Sequence, residues 1–456
     1  MSNDTHTGQD CRSLFRFLPY IMITVNFVGW EIIKRTPVFI SPTISQQALR
    51  LHGVITGSML LLFTCVLFAR FCLTGERMFH LYKFEKYLFI LLGVDLVALM
   101  VGLIRRNAPV FLIGDTYKFS VIPLAYFCTT QTLTARDARK LFLFIVILET
   151  VVTLESFGVY IIRLATGDYE RAPEHAVSLL AFIFFLVALT SGGQLSRRRK
   201  NIYSVILVII GVTAILSQAR TLWIQIFLCP FILLLIEKKT AVVRSIVKPA
   251  VLALILLMPF LLGVSAIYRN VARELSQRVV ETTTLIRATQ QVMPILSGDR
   301  RVVEVKSTLG TYRESQNVLD FIVGFGNGAE FYAPSAALGM GSTPGYKHHI
   351  HNGYISLFFR MGILGLTFFL LFASSALRSM YEIAKQPVGT NLRFGPGASS
   401  LTRSLIPKVI FVYFVATLIE LLTIYSFIGD IKWGLLFGLF RAANLESGEI
   451  ADENSN

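Results

Sequence analysis

Long apolar stretches separated by shorter polar ones repeat along most of the chain. About 18 to 20 apolar residues are enough to cross a bilayer core of roughly 30 Å as a helix. Candidate spans lie at residues 14–33, 51–73, 87–104, 110–130, 141–165, 176–192, 203–216, 221–236, 246–268, 353–377, 409–428 and 432–440. The pattern predicts an all-α, polytopic membrane protein of about 12 transmembrane helices.

Basic residues cluster between alternate apolar stretches, which predicts the orientation of the chain. Such clusters lie at residues 136–140, 197–200, 238–244 and 378–408. Cytoplasmic loops of membrane proteins carry an excess of Lys and Arg, so this face is predicted to lie inside, together with both termini. Arg105 and Arg106 are the exception, because the alternation places them outside.

Composition narrows the classes of partner and cofactor. The formal net charge is +15, but the basic residues lie in short clusters between apolar stretches, so we expect anionic lipid headgroups and not nucleic acid as their partner. The five cysteines lie in or beside apolar stretches and form no CxxC pair. We therefore expect no disulfide framework and no cysteine metal site.

One polar interval, residues 269–350, is far longer than the others. Connections of this length are usually functional elements. The interval divides the chain into a first membrane region at 1–268, a large outside loop at 269–350, a second membrane region at 351–441 and a tail at 442–456. The large loop is predicted to connect the ninth and tenth spans.

Two ionisable residues at span boundaries are candidates for chemistry. His351 lies where the large loop enters the tenth span, where a histidine is often only a cap or a packed side chain. A neutral imidazole at a membrane surface is also well placed to accept a hydroxyl proton. Arg220 opens the eighth span after a very short outside loop, where it would either anchor the helix end or bind phosphate.

Other polar features allow two interpretations each. Gly324, Gly326 and Gly328 lack the context of a nucleotide-binding loop, so a tight turn or close backbone approach is expected. Asp115 and Lys118 lie within a predicted span and are either a site or a pair near the interface. His348 and His349 suggest metal, but the segment lacks carboxylates at ligand spacing, so no metal site is predicted.

Several of these residues together resemble a known family. His351-Asn352 is followed after nine residues by Gly362-Ile-Leu-Gly365, and it is preceded by Gly310-Thr-Tyr-Arg313 and Val323-Gly-Phe-Gly-Asn-Gly328. This arrangement resembles the signature of the O-antigen ligase and O-antigen polymerase superfamily. Ser217-Gln-Ala-Arg220-Thr221 is similar to an earlier arginine motif of that family. The twelve-span plan with one large loop between the ninth and tenth spans also matches.

The resemblance implies a metal-independent, inverting glycosyltransferase without a cofactor. Its donor would be a glycan linked to undecaprenyl pyrophosphate, and its active site would face the periplasm at the bacterial inner membrane. His351 would take the proton of the acceptor hydroxyl, and Arg220 and Arg313 would hold the pyrophosphate. The further residues expected to contact substrate are Asn352, Gly326, Arg105 and Arg106.

The resemblance leaves the particular reaction open. A polymerase would join lipid-linked repeat units into a surface polysaccharide or exopolysaccharide, and this is the prediction, because nothing in the sequence marks a lipid A-core site. A ligase would transfer the finished glycan to lipid A-core or another acceptor. A twelve-span transporter and a silent scaffold of an export complex are the alternatives outside this chemistry. Membrane lipids and a chain-length regulator or export protein are the predicted partners.

Overall fold

The fold was analysed in a computed structural model. It describes residues 83–165, 177–190, 195–216, 220–237, 300–315, 317–333, 345–385, 400–422 and 430–453, together with residues 17 and 19–24 and the single positions 58, 61, 65 and 243. The predicted span at 246–268 and most of those at 14–33 and 51–73 lie outside the described residues. The count of twelve spans and the boundary at residue 268 therefore stay predictions.

The described part of the chain is mostly helical. The first six helices are α1 (Lys83–Ile104), α2 (Pro109–Thr132), α3 (Ala135–Ala165), α4 (Leu179–Thr190), α5 (Arg197–Leu216) and α6 (Arg220–Leu233). The large loop contributes α7 (Arg300–Ser315), α8 (Val318–Val323), β1 (Phe331–Ala333) and β2 (Gly345–Lys347). The last three helices are α9 (Gly353–Ala384), α10 (Ser400–Glu420) and α11 (Ile431–Glu453).

Four of these helices are long and apolar enough to cross a membrane, namely α1, α2, α3 and α9, within the described residues. The shorter α4 and α6 are also apolar. These candidate spans support the prediction of a multi-pass membrane protein. Several helices begin earlier or end later than the apolar pattern predicts. For example, α5 includes the basic run from Arg197, and α11 continues into the predicted tail. Arg, Lys, Glu and Ala are good helix formers, so these helices extend past their apolar stretches.

The large loop has more structure than the sequence pattern suggested. Besides two helices it contains a small antiparallel sheet, in which Phe331 pairs with Lys347 and Ala333 with Gly345. This hairpin corrects the all-α prediction in a minor way. A second, smaller hydrophobic core lies under it and is formed by Phe325, Ala329, Phe331, Ile350 and Phe359. The large loop is therefore packed onto the helices by its own apolar side chains.

The main core lies where α11 meets α2, α9 and α10. The rings of Phe372, Phe414 and Trp433 surround Phe437 with centroid distances of 5.1 to 5.5 Å. Gly434 and Gly438 bring the backbone of α11 against α2, where a side chain would meet Ile122, Ala125 or Thr129. Small residues four positions apart are a common device for close helix packing in membranes.

A buried ion pair joins three of the helices. Lys432 of α11 contacts Glu149 of α3 at 3.0 Å and lies over the Tyr413 ring of α10 at 5.2 Å. Asp430 is a second, more distant carboxylate at 3.8 Å. The Glu149 side chain is only 2% exposed. Removing the Lys432 ammonium group would leave the Glu149 carboxylate buried without its main partner, which would lower the free energy of unfolding.

We predict that Lys432→Met lowers the stability of the detergent-solubilised protein by about 3 to 5 kcal/mol, the usual cost of breaking a buried pair. The double variant Lys432→Met/Glu149→Gln should recover part of this loss. The control is Arg378→Met, which breaks a pair with Glu382 whose side chains are 82% and 62% exposed. Its effect should stay below about 1 kcal/mol. If thermal or denaturant unfolding showed equal losses of stability in Lys432→Met and Arg378→Met, this account would be contradicted.

Candidate functional site

Helix α9 is interrupted at Gly362, about a quarter of the way along its length. Gly362 has φ 65° and ψ −164°, a conformation essentially restricted to glycine. A side chain at this position would collide with the backbone carbonyl of Ile322 in the large loop. The interruption removes the usual helical partners of the carbonyl groups just before it, so these oxygens need other donors.

The large loop supplies those donors. The backbone N–H of Phe325 donates to the Phe359 carbonyl at 2.9 Å, and that of Gly326 donates to the Arg360 carbonyl at 3.1 Å. The Tyr312 hydroxyl donates to the Phe358 carbonyl at 2.6 Å. Burial raises the pKa of Tyr312 above its usual value, so the hydroxyl keeps its proton. Donors of the large loop therefore form the hydrogen bonds that the carbonyl groups of the broken helix lack.

Gly324 to Gly328 form a turn in the large loop, and the other side of this turn packs on α1 and α2. The N–H of Asn327 donates to the Ala98 carbonyl at 2.9 Å. The Asn107 side chain donates to the carbonyls of Phe325 at 3.2 Å and Asn327 at 2.8 Å. Gly326 has φ 83°, and its Cα lies where any side chain would collide with the backbone of Gly102. The expected close backbone approach is thus present.

Arg105 has a partner in the large loop. Its guanidinium pairs with Asp320 of α8 and lies 5.1 Å from the centre of the Phe325 ring. Arg106 is exposed and has a positive φ of 57°. The connection between α1 and α2 therefore lies at the same end of the bundle as the large loop. The position of Arg105 outside the predicted basic face has a physical reason, because its charge is used to hold this loop.

A buried polar network extends from the turn into the helices. Arg360 of α9 is 2% exposed, pairs with Asp115 of α2 and donates to the carbonyl of His348 at 2.7 Å. The His348 ring lies 3.1 Å from Asp115 and stacks on Phe111 with centroids 4.2 Å apart. The expected pair of Asp115 with Lys118 is present at 3.7 Å, but Arg360 is the closer partner.

His351 lies between the large loop and the start of α9, and it contacts a glutamate of α7. Its Nδ1 lies 2.9 Å from Oε2 and 3.2 Å from Oε1 of Glu304, and its backbone N–H donates to Oε1 at 3.0 Å. The Glu304 side chain is 8% exposed, whereas that of His351 is 35% exposed. The imidazole is thus held on one side by a buried carboxylate and reaches solvent on the other.

A second histidine lies beside His351. The rings of His349 and His351 are edge to face, with centroids 4.9 Å apart. Partial burial lowers the pKa of His349 to about 4, and the positive charges of Lys118 and Arg360 act in the same direction. His349 is therefore neutral near pH 7. In the described part of the chain, no group of three or more His, Cys, Asp or Glu side chains is arranged to hold a metal ion.

Asn352 begins α9 as its N-cap. Its side-chain oxygen accepts from the N–H of Ile355 at 3.0 Å, and its side-chain nitrogen donates to the Leu422 carbonyl at 2.8 Å. The N–H of Gly353 donates to the Leu421 carbonyl at 2.8 Å. The start of α9, and with it His351, is therefore anchored to the end of α10.

Of the remaining predicted residues, Arg313 is not brought against His351. Arg313 is exposed on α7, nine positions after Glu304, which places the two on opposite faces of the helix and about 13 Å apart along its axis. Arg220 is the first residue of α6, and its side chain lies outside what the structure describes. Gly326 is buried, which supports a packing role. Substrate contacts of Arg220, Arg313, Asn352, Gly326, Arg105 and Arg106 stay predictions.

Sequence reasoning missed two central residues, Glu304 and Arg360. Glu304 lies in a run with Arg300, Arg301 and Lys306, which is typical of a solvated surface. Arg360 is one charge inside a long apolar stretch, and a charge within a span is by itself a signal for a site or a buried network. That signal was available in the sequence.

Fold and site together define a multi-pass helical membrane protein with a histidine on a loop that docks against a broken helix. A family model described as "O-Antigen ligase" matches residues 205–370. This match confirms the resemblance to the O-antigen ligase and polymerase superfamily that the sequence predicted, over a segment that is less than half of the chain. The matched segment includes Arg220, Glu304, His351 and Gly362. A search of curated proteins found no match to this chain.

The family implies a membrane enzyme that transfers glycan, with lipid-linked glycan and an acceptor as its substrates in general terms.

We predict that Gly362→Ala releases the large loop from α9. A side chain there costs roughly 1 to 3 kcal/mol in backbone strain alone, before the collision with Ile322 is counted. Trypsin cleavage within α7 should become at least about 10-fold faster, because it follows the population of the open form. Gly93→Ala is the matched control, since among the described residues nothing lies within 4 Å of a side chain added to that helical glycine. An unchanged rate of tryptic cleavage within α7 in Gly362→Ala would contradict the docking of the large loop on α9.

Proposed function

We propose that this protein is a metal-independent, inverting glycosyltransferase that polymerises repeat units linked to undecaprenyl pyrophosphate. The observation that carries the proposal is His351, whose partly exposed ring lies at the junction of the large loop and α9, within the segment that matches the family. Its Nδ1 faces Glu304, so Nε2 is the ring atom that remains to accept a proton.

The proposed reaction is a single displacement. Nε2 of His351 accepts the proton of the acceptor hydroxyl as that oxygen attacks the anomeric carbon of the donor. The bond between the anomeric carbon and the phosphate oxygen breaks, and undecaprenyl pyrophosphate leaves with the bonding electron pair. Attack from the face opposite the leaving group inverts the configuration. The proton on His351 is released to water after the product departs.

The leaving group needs charge stabilisation and not a new proton. A pyrophosphate monoester is already a stable anion, and permanently charged guanidinium groups bind it through paired hydrogen bonds. We assign this role to Arg220 and Arg313. The exposed position of Arg313, away from the Glu304 face of α7, makes Arg220 the main binding group in this proposal.

The orientation follows from the same proposal. The large loop and His351 would face the periplasm from the bacterial inner membrane, because the donor carries its glycan on that side. A chain-length regulator or an export protein would act with the polymerase there. The family description favours a second function, in which the same step transfers the finished glycan to lipid A-core or another acceptor as a ligase.

Polymerase and ligase are separated by the glycans that accumulate. Gel and mass analysis of lipid-linked glycans would compare cells with the wild-type chain, a deletion and His351→Asn. A polymerase predicts single lipid-linked repeats and loss of the ladder in both mutants. A ligase predicts long chains that stay on the prenyl carrier. No change in either mutant would refute glycosyl transfer and would favour the transporter or scaffold interpretation.

We predict that His351→Asn lowers turnover by about 10²- to 10⁴-fold, the usual contribution of a general base, while the protein remains folded in the membrane. The control is His349→Gln, which replaces a ring that is already neutral near pH 7 and should keep most of the activity. Turnover is measured as release of prenyl pyrophosphate by the purified protein. Near-normal release by His351→Asn would show that the proposed base is wrong.

We predict that Arg220→Ala reduces turnover nearly as strongly as His351→Asn and that Arg313→Ala reduces it less. Arg378→Ala is the matched control, because its guanidinium is exposed on α9 and pairs only with the nearby Glu382 among the contacts described. Binding of a prenyl pyrophosphate without glycan should weaken in Arg220→Ala. Normal binding and turnover in that variant would remove Arg220 from the mechanism.

A further inference from the structure

We infer that Glu304 is a positioning residue that fixes the orientation and the tautomer of His351. The inference rests on the proposed function, because it assigns the proton-accepting atom of the base. Neither the sequence motif nor the family match distinguishes Glu304 from the other charged residues of the large loop. Its role follows from its contacts with His351.

The contact geometry restricts both the ring and its backbone. One carboxylate oxygen of Glu304 lies 2.9 Å from Nδ1, and the other accepts the backbone N–H of the same histidine at 3.0 Å. The backbone hydrogen bond fixes the carboxylate relative to His351, so the ring can rotate away only by losing its Nδ1 contact with Glu304. A carboxylate can only accept, so Nδ1 carries the proton and Nε2 presents a lone pair.

Helix α7 holds Glu304 in place through one face. Glu304, Thr308 and Tyr312 are spaced four residues apart and therefore lie on the same side of the helix. Thr308 is fully buried, and the Tyr312 ring packs against those of Phe325 and Phe358 with centroids 4.7 Å away in both cases. The hydrogen bond from Tyr312 to the broken part of α9 thus also sets the position of the carboxylate two turns earlier.

The negative charge of Glu304 also acts on the protonated form of His351. The charged groups that act on the neighbouring His349 are Glu304, Lys118 of α2 and Arg360 of α9. Lys118 and Arg360 disfavour a further positive charge nearby, and Asp115, which pairs with both, offsets part of their effect. Glu304 is the carboxylate in contact with His351, so it offsets these positive charges when the ring takes up a proton.

The test compares pH–rate profiles of the purified full-length protein between about pH 5 and 9. Glu304→Gln should reduce turnover by between about 10-fold and 10⁴-fold, because the amide can donate to Nδ1 and favour the wrong tautomer. The base works unprotonated, and the carboxylate favours its protonated form. Removing the negative charge should therefore move the acidic limb of the profile to lower pH.

Two further variants separate positioning from a structural effect. Glu304→Asp keeps the charge, so it should recover part of the rate and keep the acidic limb close to that of the wild type. Glu314→Gln changes an exposed glutamate on the same helix and should match the wild type in rate and profile. Thermal unfolding of each variant shows whether the fold is retained.

The outcomes distinguish this inference from the proposed function. An inactive His351→Asn together with a Glu304→Gln variant of normal rate and unshifted profile would overturn the role of Glu304 and leave the base assignment standing. The role of Glu304 would also be overturned if Glu304→Gln lost rate without moving the acidic limb of its pH–rate profile and Glu304→Asp recovered none of that rate. An active His351→Asn would overturn the proposed base itself.

Discussion

The structure depends on the interruption of α9 at Gly362. A helix that breaks within an apolar environment leaves carbonyl groups that cost several kcal/mol each if they stay unpaired. Here the N–H groups of the turn at Phe325 and Gly326 and the hydroxyl of Tyr312 pair with them. The large loop is therefore a required part of the helical bundle, and the bundle is required for the loop to have a defined shape.

The candidate site follows from this docking. The turn and Tyr312 place α7 beside the start of α9, and α7 carries Glu304 to His351. The start of α9 is in turn held by the end of α10 through Asn352. Arg360, next to the break, connects the same region to Asp115 of α2. His351, to which we assign a catalytic task, thus gains the rigidity that such a task requires, because each element around it is fixed by a buried contact.

Sequence reasoning succeeded where the signal is local. Apolar stretches predicted α1, α2 and α9 closely, and the glycines of the turn predicted close backbone approach. His351 was identified from its place at the start of a span and from the family motif. The misses concern contacts between distant positions. Arg105 and Asp320 are 215 residues apart, and neither position reveals the other. Glu304 lies among basic residues in a segment without apolar stretches, so nothing local indicated that it is buried.

The central claim is that this fold places His351 to catalyse glycosyl transfer from a lipid pyrophosphate. It is tested most directly with the purified protein, a synthetic repeat unit on prenyl pyrophosphate and a chelator, with the anomeric configuration of the product read by NMR. The account predicts a new glycosidic bond of inverted configuration and one prenyl pyrophosphate released for each bond formed. A product of retained configuration, dependence on a divalent metal, or movement of the donor without bond formation would contradict it.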